Sequence, residues 1–105
     1  MELNVYWTQF AEDKLQDIFN YYKEKAGIRV AQKLLDGIID ASLELYINPE
    51  GKQSEELLSE RIQDFRYLVY KSYKIVYWID KTNKMILVSN IFDTRQNPNK
   101  INNLP

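Results

Sequence analysis

The chain has 105 residues, enough for one hydrophobic core and too few for two, and 45% of them are apolar, a composition that folds rather than remaining disordered. Cysteine and histidine are both absent, which excludes disulfide scaffolds, thiolate and imidazole catalysis and the usual zinc ligand sets. The net charge of -1 hides an asymmetry: residues 1–60 carry six Lys/Arg against twelve Asp/Glu (-6), and residues 61–105 carry eight against three (+5). A single domain over 1–105 is expected, with no cofactor, no metal and no membrane partner. The start of the chain lacks the basic and apolar segments of a signal peptide, and no apolar run approaches the roughly 20 residues that cross a bilayer, so a cytoplasmic location is expected. The charge split predicts a basic surface on the C-terminal half, suited to a nucleic acid or an acidic protein unless the excess is spread over solvated strands.

Leu3, Val5 and Trp7 alternate with Glu2, Asn4 and Tyr6, the period of a strand with one apolar face. Thr8 stops it and is placed to cap a helix whose first turn holds Glu12 and Asp13 near the positive end of the helix dipole. Phe10, Ala11, Leu15, Ile18, Phe19 and Tyr22 recur at steps of three and four, which predicts one apolar stripe down to about Lys25. Gly27 is a helix stop, since glycine takes left-handed conformations at little cost. A second, wider stripe runs from Val30 to Tyr46, and Asn48-Pro49 ends it because proline disfavours helix in the residue before it. The short link makes the two helices a hairpin. Residues 50–60 are acidic and without period, which predicts a loop with room for a helical turn over Glu55 to Leu58.

Beyond residue 64 the texture changes. Phe65 to Tyr70, Tyr73 to Ile79 and Met85 to Phe92 are rich in β-branched and aromatic residues and are separated by Lys71-Ser72 and by Asp80 to Asn83, so they predict three strands joined by two hairpins. If Lys71 and Ser72 form a two-residue turn, Tyr70 faces Tyr73 and Val69 faces Lys74. One face then carries Leu68, Tyr70, Tyr73, Ile75, Tyr77 and Ile79, the better core. The other carries Phe65, Tyr67, Val69, Lys74, Val76 and Trp78, either a binding face or an aromatic surface partly covered by the tail, Asp93 to Pro105. The fold class is α+β: an N-terminal strand, an α-helical hairpin, then a three-stranded antiparallel sheet.

Four segments in this order resemble the RelE/ParE superfamily of toxins. Val5-Tyr6-Trp7-Thr8 followed by Phe10-Ala11-Glu12-Asp13 is similar to the family's strand-to-helix opening, and Asn48-Pro49 to its "NP" stop. Phe65 to Tyr70 followed by Tyr73-Lys74-Ile75-Val76-Tyr77 resembles its "R-x-L…Y-R-I-x-Y", with Lys74 where arginine is usual. Phe92-Asp93-Thr94-Arg95-Gln96-Asn97-Pro98 resembles the segment where many members place "H-x-R-R-D". Members belong to type II toxin-antitoxin (plasmid stabilization) modules and are neutralised by a small antitoxin. The resemblance therefore implies a cognate antitoxin as partner, a homodimer or toxin-antitoxin hetero-oligomer, and either DNA gyrase or the ribosome with its mRNA as target.

The two branches need different residues. RNA cleavage at a 2′-hydroxyl needs a general base, a general acid and cations on the phosphate. By resemblance Lys74 and Arg95 stand where nuclease members use arginines on phosphate, while the lysine pair of those members falls on Phe65 and Tyr67 and their late tyrosine near Ile101. The metal-independent endoribonuclease set is thus incomplete. Gyrase inhibition needs only a binding surface and is preferred, with mRNA cleavage or a diverged member that keeps only antitoxin binding as the alternatives; Arg66, Tyr67 and Trp78 are the candidate binding residues on the sheet. Tyr67 could also serve as a base or stack on a nucleobase, although packing is the commoner use of a strand tyrosine. Arg66 reads first as a structural arginine paired with an acidic residue of a helix. The sequence pI near 5.4 departs from the basic character common among such toxins.

Overall fold

Leu3 and, within strand β1 (Asn4–Trp7), Val5 and Trp7 pack against the core, as their period-two spacing predicts. In this computed structural model, which describes residues 3–51, 53–55 and 62–95, β1 leads directly into helix α1 (Gln9–Ala26). Thr8 caps that helix: its hydroxyl accepts from the Ala11 amide at 3.2 Å. Gly27 ends it at φ 94°, ψ 163°, a conformation that strains any side chain, and its amide donates to the Lys23 carbonyl at 3.1 Å. The chain then folds back through helix α2 (Ile28–Ser42), which buries Ala31, Leu34, Ile38 and Ser42 along one stripe. Among the described residues no helix is long and apolar enough to cross a membrane.

The second helix was expected to run to Tyr46. Its last turn instead tightens into a 3-10 helix, Leu43–Tyr46, before Asn48-Pro49. Ser42 gives a local reason, because its hydroxyl donates to the Ile39 carbonyl at 2.6 Å and competes for the acceptors at the helix end. The stretch expected as a loop holds a 3-10 turn, Pro49–Gly51, and a two-residue strand β2 (Gln53–Ser54). Glu55 follows β2 outside any helix, and Glu56 to Leu58 of the expected helical turn lie outside the described residues.

Strands β3 (Arg66–Tyr70), β4 (Tyr73–Asp80) and β5 (Met85–Asp93) form the expected antiparallel meander. The register around the Lys71-Ser72 turn follows the expectation, with Tyr70 opposite Tyr73 and Val69 opposite Lys74, and Lys71 takes φ 53°. The sheet is wider than its three-stranded centre. Its order is β1-β5-β4-β3-β2, with β1 parallel to β5 from Asn4 opposite Met85 to Trp7 opposite Val88, and β2 antiparallel to β3. These added pairings join segments far apart in the chain, which a local period does not reveal.

A β-bulge decides the sidedness of β5. Val76 pairs Asn90 while Tyr77 pairs Val88, so Ser89 is the extra residue. Ile86 and Val88 face the helices before it, and Ile91 does so after it. The bulge is tied to the α1 cap, as the Thr8 amide donates to the Val88 carbonyl at 3.0 Å and the Thr8 hydroxyl to the Ser89 carbonyl at 3.4 Å. Without this step Phe92 would point to the helices; with it Phe92 lies on the far side and Asp93, opposite Tyr73, returns to the helix side.

The helix side of the sheet is the main core, built on Ile38, Leu45, Ile75, Tyr77, Ile86 and Ile91. Tyr77 is fully buried and its hydroxyl donates to the Pro49 carbonyl; burial pushes its pKa up to about 12. The far side is a second, smaller core. Phe65 is 6% exposed, Val76 0% and Phe92 3%, with Tyr67 and Trp78 packed on them. Much of the face weighed as a binding surface is therefore interior, and Val69, 57% exposed, is its open part.

Candidate functional site

Lys74, on β4, and Arg95, just after β5, lie on opposite faces of the sheet. Lys74 extends from the far side of β4, where its amine lies 2.9 Å from Glu55 Oε2 and 4.2 Å from the centroid of the Tyr67 ring. Glu55 reaches it because β2 pairs with β3 and the Glu55 amide donates to the Phe65 carbonyl at 2.8 Å. The Glu55 side chain is only 2% exposed and that of Lys74 21%, so the pair is largely withdrawn from water. Tyr67 serves here as the wall on which the ammonium rests.

Arg95 follows β5 on the helix side. Its backbone amide and Nε donate to Asp93 Oδ1 at 2.9 and 3.0 Å, and Nη2 donates to Asp93 Oδ2 at 2.9 Å and to the Tyr22 hydroxyl at 3.3 Å. Tyr22, on α1, also accepts a long 3.5 Å bond from the Tyr73 hydroxyl. Bonds from Tyr73 and Arg95 lower the Tyr22 pKa, burial raises that of Tyr73, and the Arg95 guanidinium holds the Asp93 carboxyl below its usual range. These residues, with Lys14, Asp17, Ile18, Tyr21 and Ile91, line an open cavity of about 280 Å³ between α1 and the end of β5.

The other candidates lie apart from this cavity. Arg66 donates from Nε and Nη2 to Asp64 Oδ2 at 3.1 and 2.8 Å and from Nη1 to the Glu50 carbonyl at 2.8 Å, which ties β3 to the turn after α2. Trp78 packs on the far-side cluster. The expected basic surface is also reduced, because acidic residues of the first half meet it: Glu55 pairs with Lys74 and Glu50 with Lys81 at 3.2 Å. Long-range pairing of the two halves cancels charge that the sequence sums keep separate.

Sequence reasoning missed Glu55, Tyr22 and Lys14. Glu55 sits in an acidic stretch without period, so nothing marks it as a residue that turns inward. Tyr22 counted as an apolar position of α1, and only its hydroxyl, directed to the strand end, gives it a polar role.

A family model described as the ParE toxin of the type II toxin-antitoxin system, parDE, matches residues 5–98. The fold is similar to a structure titled as the chromosomal ParDE toxin-antitoxin system from P. aeruginosa, with a TM-score of 0.73 and 20% identity over 88% of this chain and 96% of that one. It is also similar to a chain of the toxin-antitoxin complex RelBE2 from Mycobacterium tuberculosis, with a TM-score of 0.64 and 12% identity over 89% and 99%. At these identities the two structures bear on the fold. No curated protein sequence matches the chain.

Proposed function

This chain belongs to the ParE toxin family of type II toxin-antitoxin systems, and from that premise we propose that it arrests growth by binding DNA gyrase rather than by cutting mRNA. The observation that carries the reading is the separation of Lys74 from Arg95. A nuclease would converge its cations on one phosphate; here Lys74 is held by Glu55 on one face and Arg95 by Asp93 on the other. The position matching a nuclease lysine is Phe65, which is buried, and the chain has no histidine to act as acid or base. An inhibitor that works by binding needs none of these groups.

The antitoxin is the natural protein partner, and the toxin-antitoxin systems among the similar structures support it. Ile39, Leu43, Tyr46 and Ile47 leave large apolar surface exposed along α2 and the turn after it, which supports a docking site on the helix hairpin. A toxin of this kind acts in the cytoplasm.

The test is a supercoiling assay with purified gyrase, beside mapping of mRNA ends after induced expression without antitoxin. Blocked supercoiling with no codon-phased cuts is expected. Phased cuts that vanish in Lys74→Ala or Arg95→Ala would replace the reading with mRNA cleavage. Unimpaired growth would leave a chain that keeps antitoxin binding alone.

A further inference from the structure

The cavity between α1 and the end of β5 has hydrogen-bond donors left over and its inner carboxylate already used. Both oxygens of Asp93 accept from Arg95, through the backbone amide and Nε on one and Nη2 on the other. Arg95 Nη2 is spent on Asp93 and Tyr22, which leaves the two hydrogens of Nη1 without an acceptor among the described residues. The Tyr22 oxygen accepts from both Tyr73 and Arg95, so its own hydrogen points elsewhere, and it donates to no described residue. Lys14, on the same helix, has no hydrogen-bond or ion-pair partner among the described residues and lines the same cavity. Ile18 and Ile91 supply apolar walls.

We propose that this cavity is a binding site for a carboxylate on an apolar stem: a Glu or Asp side chain, or a chain terminus, of a protein partner. Three unspent donors of different reach, Arg95 Nη1, Lys14 Nζ and the Tyr22 hydroxyl, call for an acceptor-rich group, and a carboxylate offers about four lone-pair positions. Charge selects a carboxylate over a nucleic acid backbone. Lys14 and Arg95 are matched by Asp17 and Asp93 in the lining, so the site is formally neutral and suits one negative charge better than a run of phosphates. The long bonds to Tyr22, 3.3 and 3.5 Å, orient its hydroxyl without clamping it, which leaves it free to turn to an incoming oxygen. The lowered pKa of Tyr22 agrees, since a more acidic phenol is a stronger donor.

This inference rests on the chain's having a protein partner, but its test needs neither gyrase nor antitoxin. The peptide acetyl-Leu-Glu-Leu-amide, its Gln counterpart, inorganic phosphate and an eight-nucleotide oligouridylate are each titrated into the isotope-labelled full chain and followed by NMR. The Glu peptide is expected to shift Tyr22 and Arg95 side-chain resonances saturably, and the Gln peptide to bind about tenfold more weakly, the loss that one charge-assisted hydrogen bond represents. Tyr22→Phe and Arg95→Gln should each weaken the Glu peptide by a similar factor, about fivefold to tenfold. Equal affinity for the Glu and Gln peptides, saturable shifts confined to other parts of the chain, or no saturable shift at all would overturn the proposal. Tighter binding of phosphate or oligouridylate than of the Glu peptide would overturn it in favour of a phosphate site. Failure here leaves the growth-arrest reading standing, and failure of gyrase inhibition leaves this site standing.

Discussion

The ion pairs of Lys74 and Arg95 have the same length and different surroundings. Each closes at 2.9 Å, yet the side chains of Lys74 and Glu55 are 21% and 2% exposed while those of Arg95 and Asp93 are 61% and 18% exposed. Distance therefore does not rank them. A carboxylate withdrawn from water depends on its cation, because losing the partner leaves a desolvated charge, whereas an exposed pair exchanges its partner for water at little cost. The far face of the sheet uses its lysine to hold the β2 segment in place; the helix face leaves its arginine available to a ligand.

The largest effect that can break this contrast is in Lys74. Lys74→Met should cost about 3 kcal/mol in urea denaturation, near the low end for breaking a buried pair because the ammonium keeps some contact with water. Adding Glu55→Leu removes the buried carboxylate left beside the lost ammonium, so the double variant should recover much of that loss, and a double-mutant cycle measures the recovery. A loss no greater than about 0.5 kcal/mol for Lys74→Met would place both pairs in the exposed class.

Alkaline titration comes next and probes the buried polar groups of the helix face. The Tyr77 pKa stands at about 12 in the folded chain against 10.0 ordinarily, so its contribution is complete below pH 10 and is lost as pH rises toward 12. The total is about 2.7 kcal/mol, and Tyr77→Phe should remove that part of the alkaline dependence while Tyr73, whose pKa burial also raises, keeps its own. Asp93 gives the opposite sign and a smaller effect. Its lowered pKa adds stability above the ordinary carboxyl value, lost as pH falls through the folded value, and Arg95→Gln should remove that acid-side dependence. The smallest effect is Arg95→Gln at neutral pH, within about 0.5 kcal/mol by thermal or urea denaturation, which sharpens the contrast with Lys74.

Local chemistry made much of this fold legible before any coordinates. Thr8 caps, Gly27 stops and Lys71-Ser72 turns because each acts within a few residues of itself, and the pairing of Tyr70 with Tyr73 follows from turn length alone. The parallel pairing of β1 with β5, the short β2 and the Ser89 bulge depend on contacts across the chain, and none leaves a period to read. The bulge matters most for the site. It turns Asp93 and Arg95 to the helices while Lys74 stays on the far face, so the two cations that the resemblance aligns with phosphate-binding positions lie on opposite faces of the sheet. Glu55 was equally hidden, since among the acidic residues of 50–60 only the pairing of β2 selects it.

Lys74 is proposed to hold the structure and to take no part in chemistry, and the Glu55→Leu/Lys74→Met double variant tests this most directly. Expressed without antitoxin, with its denaturation midpoint and growth arrest measured together, it should come close to the parent chain's midpoint and arrest growth as the parent does. A double variant that is as stable as the parent and no longer toxic would contradict the account and return Lys74 to the active machinery.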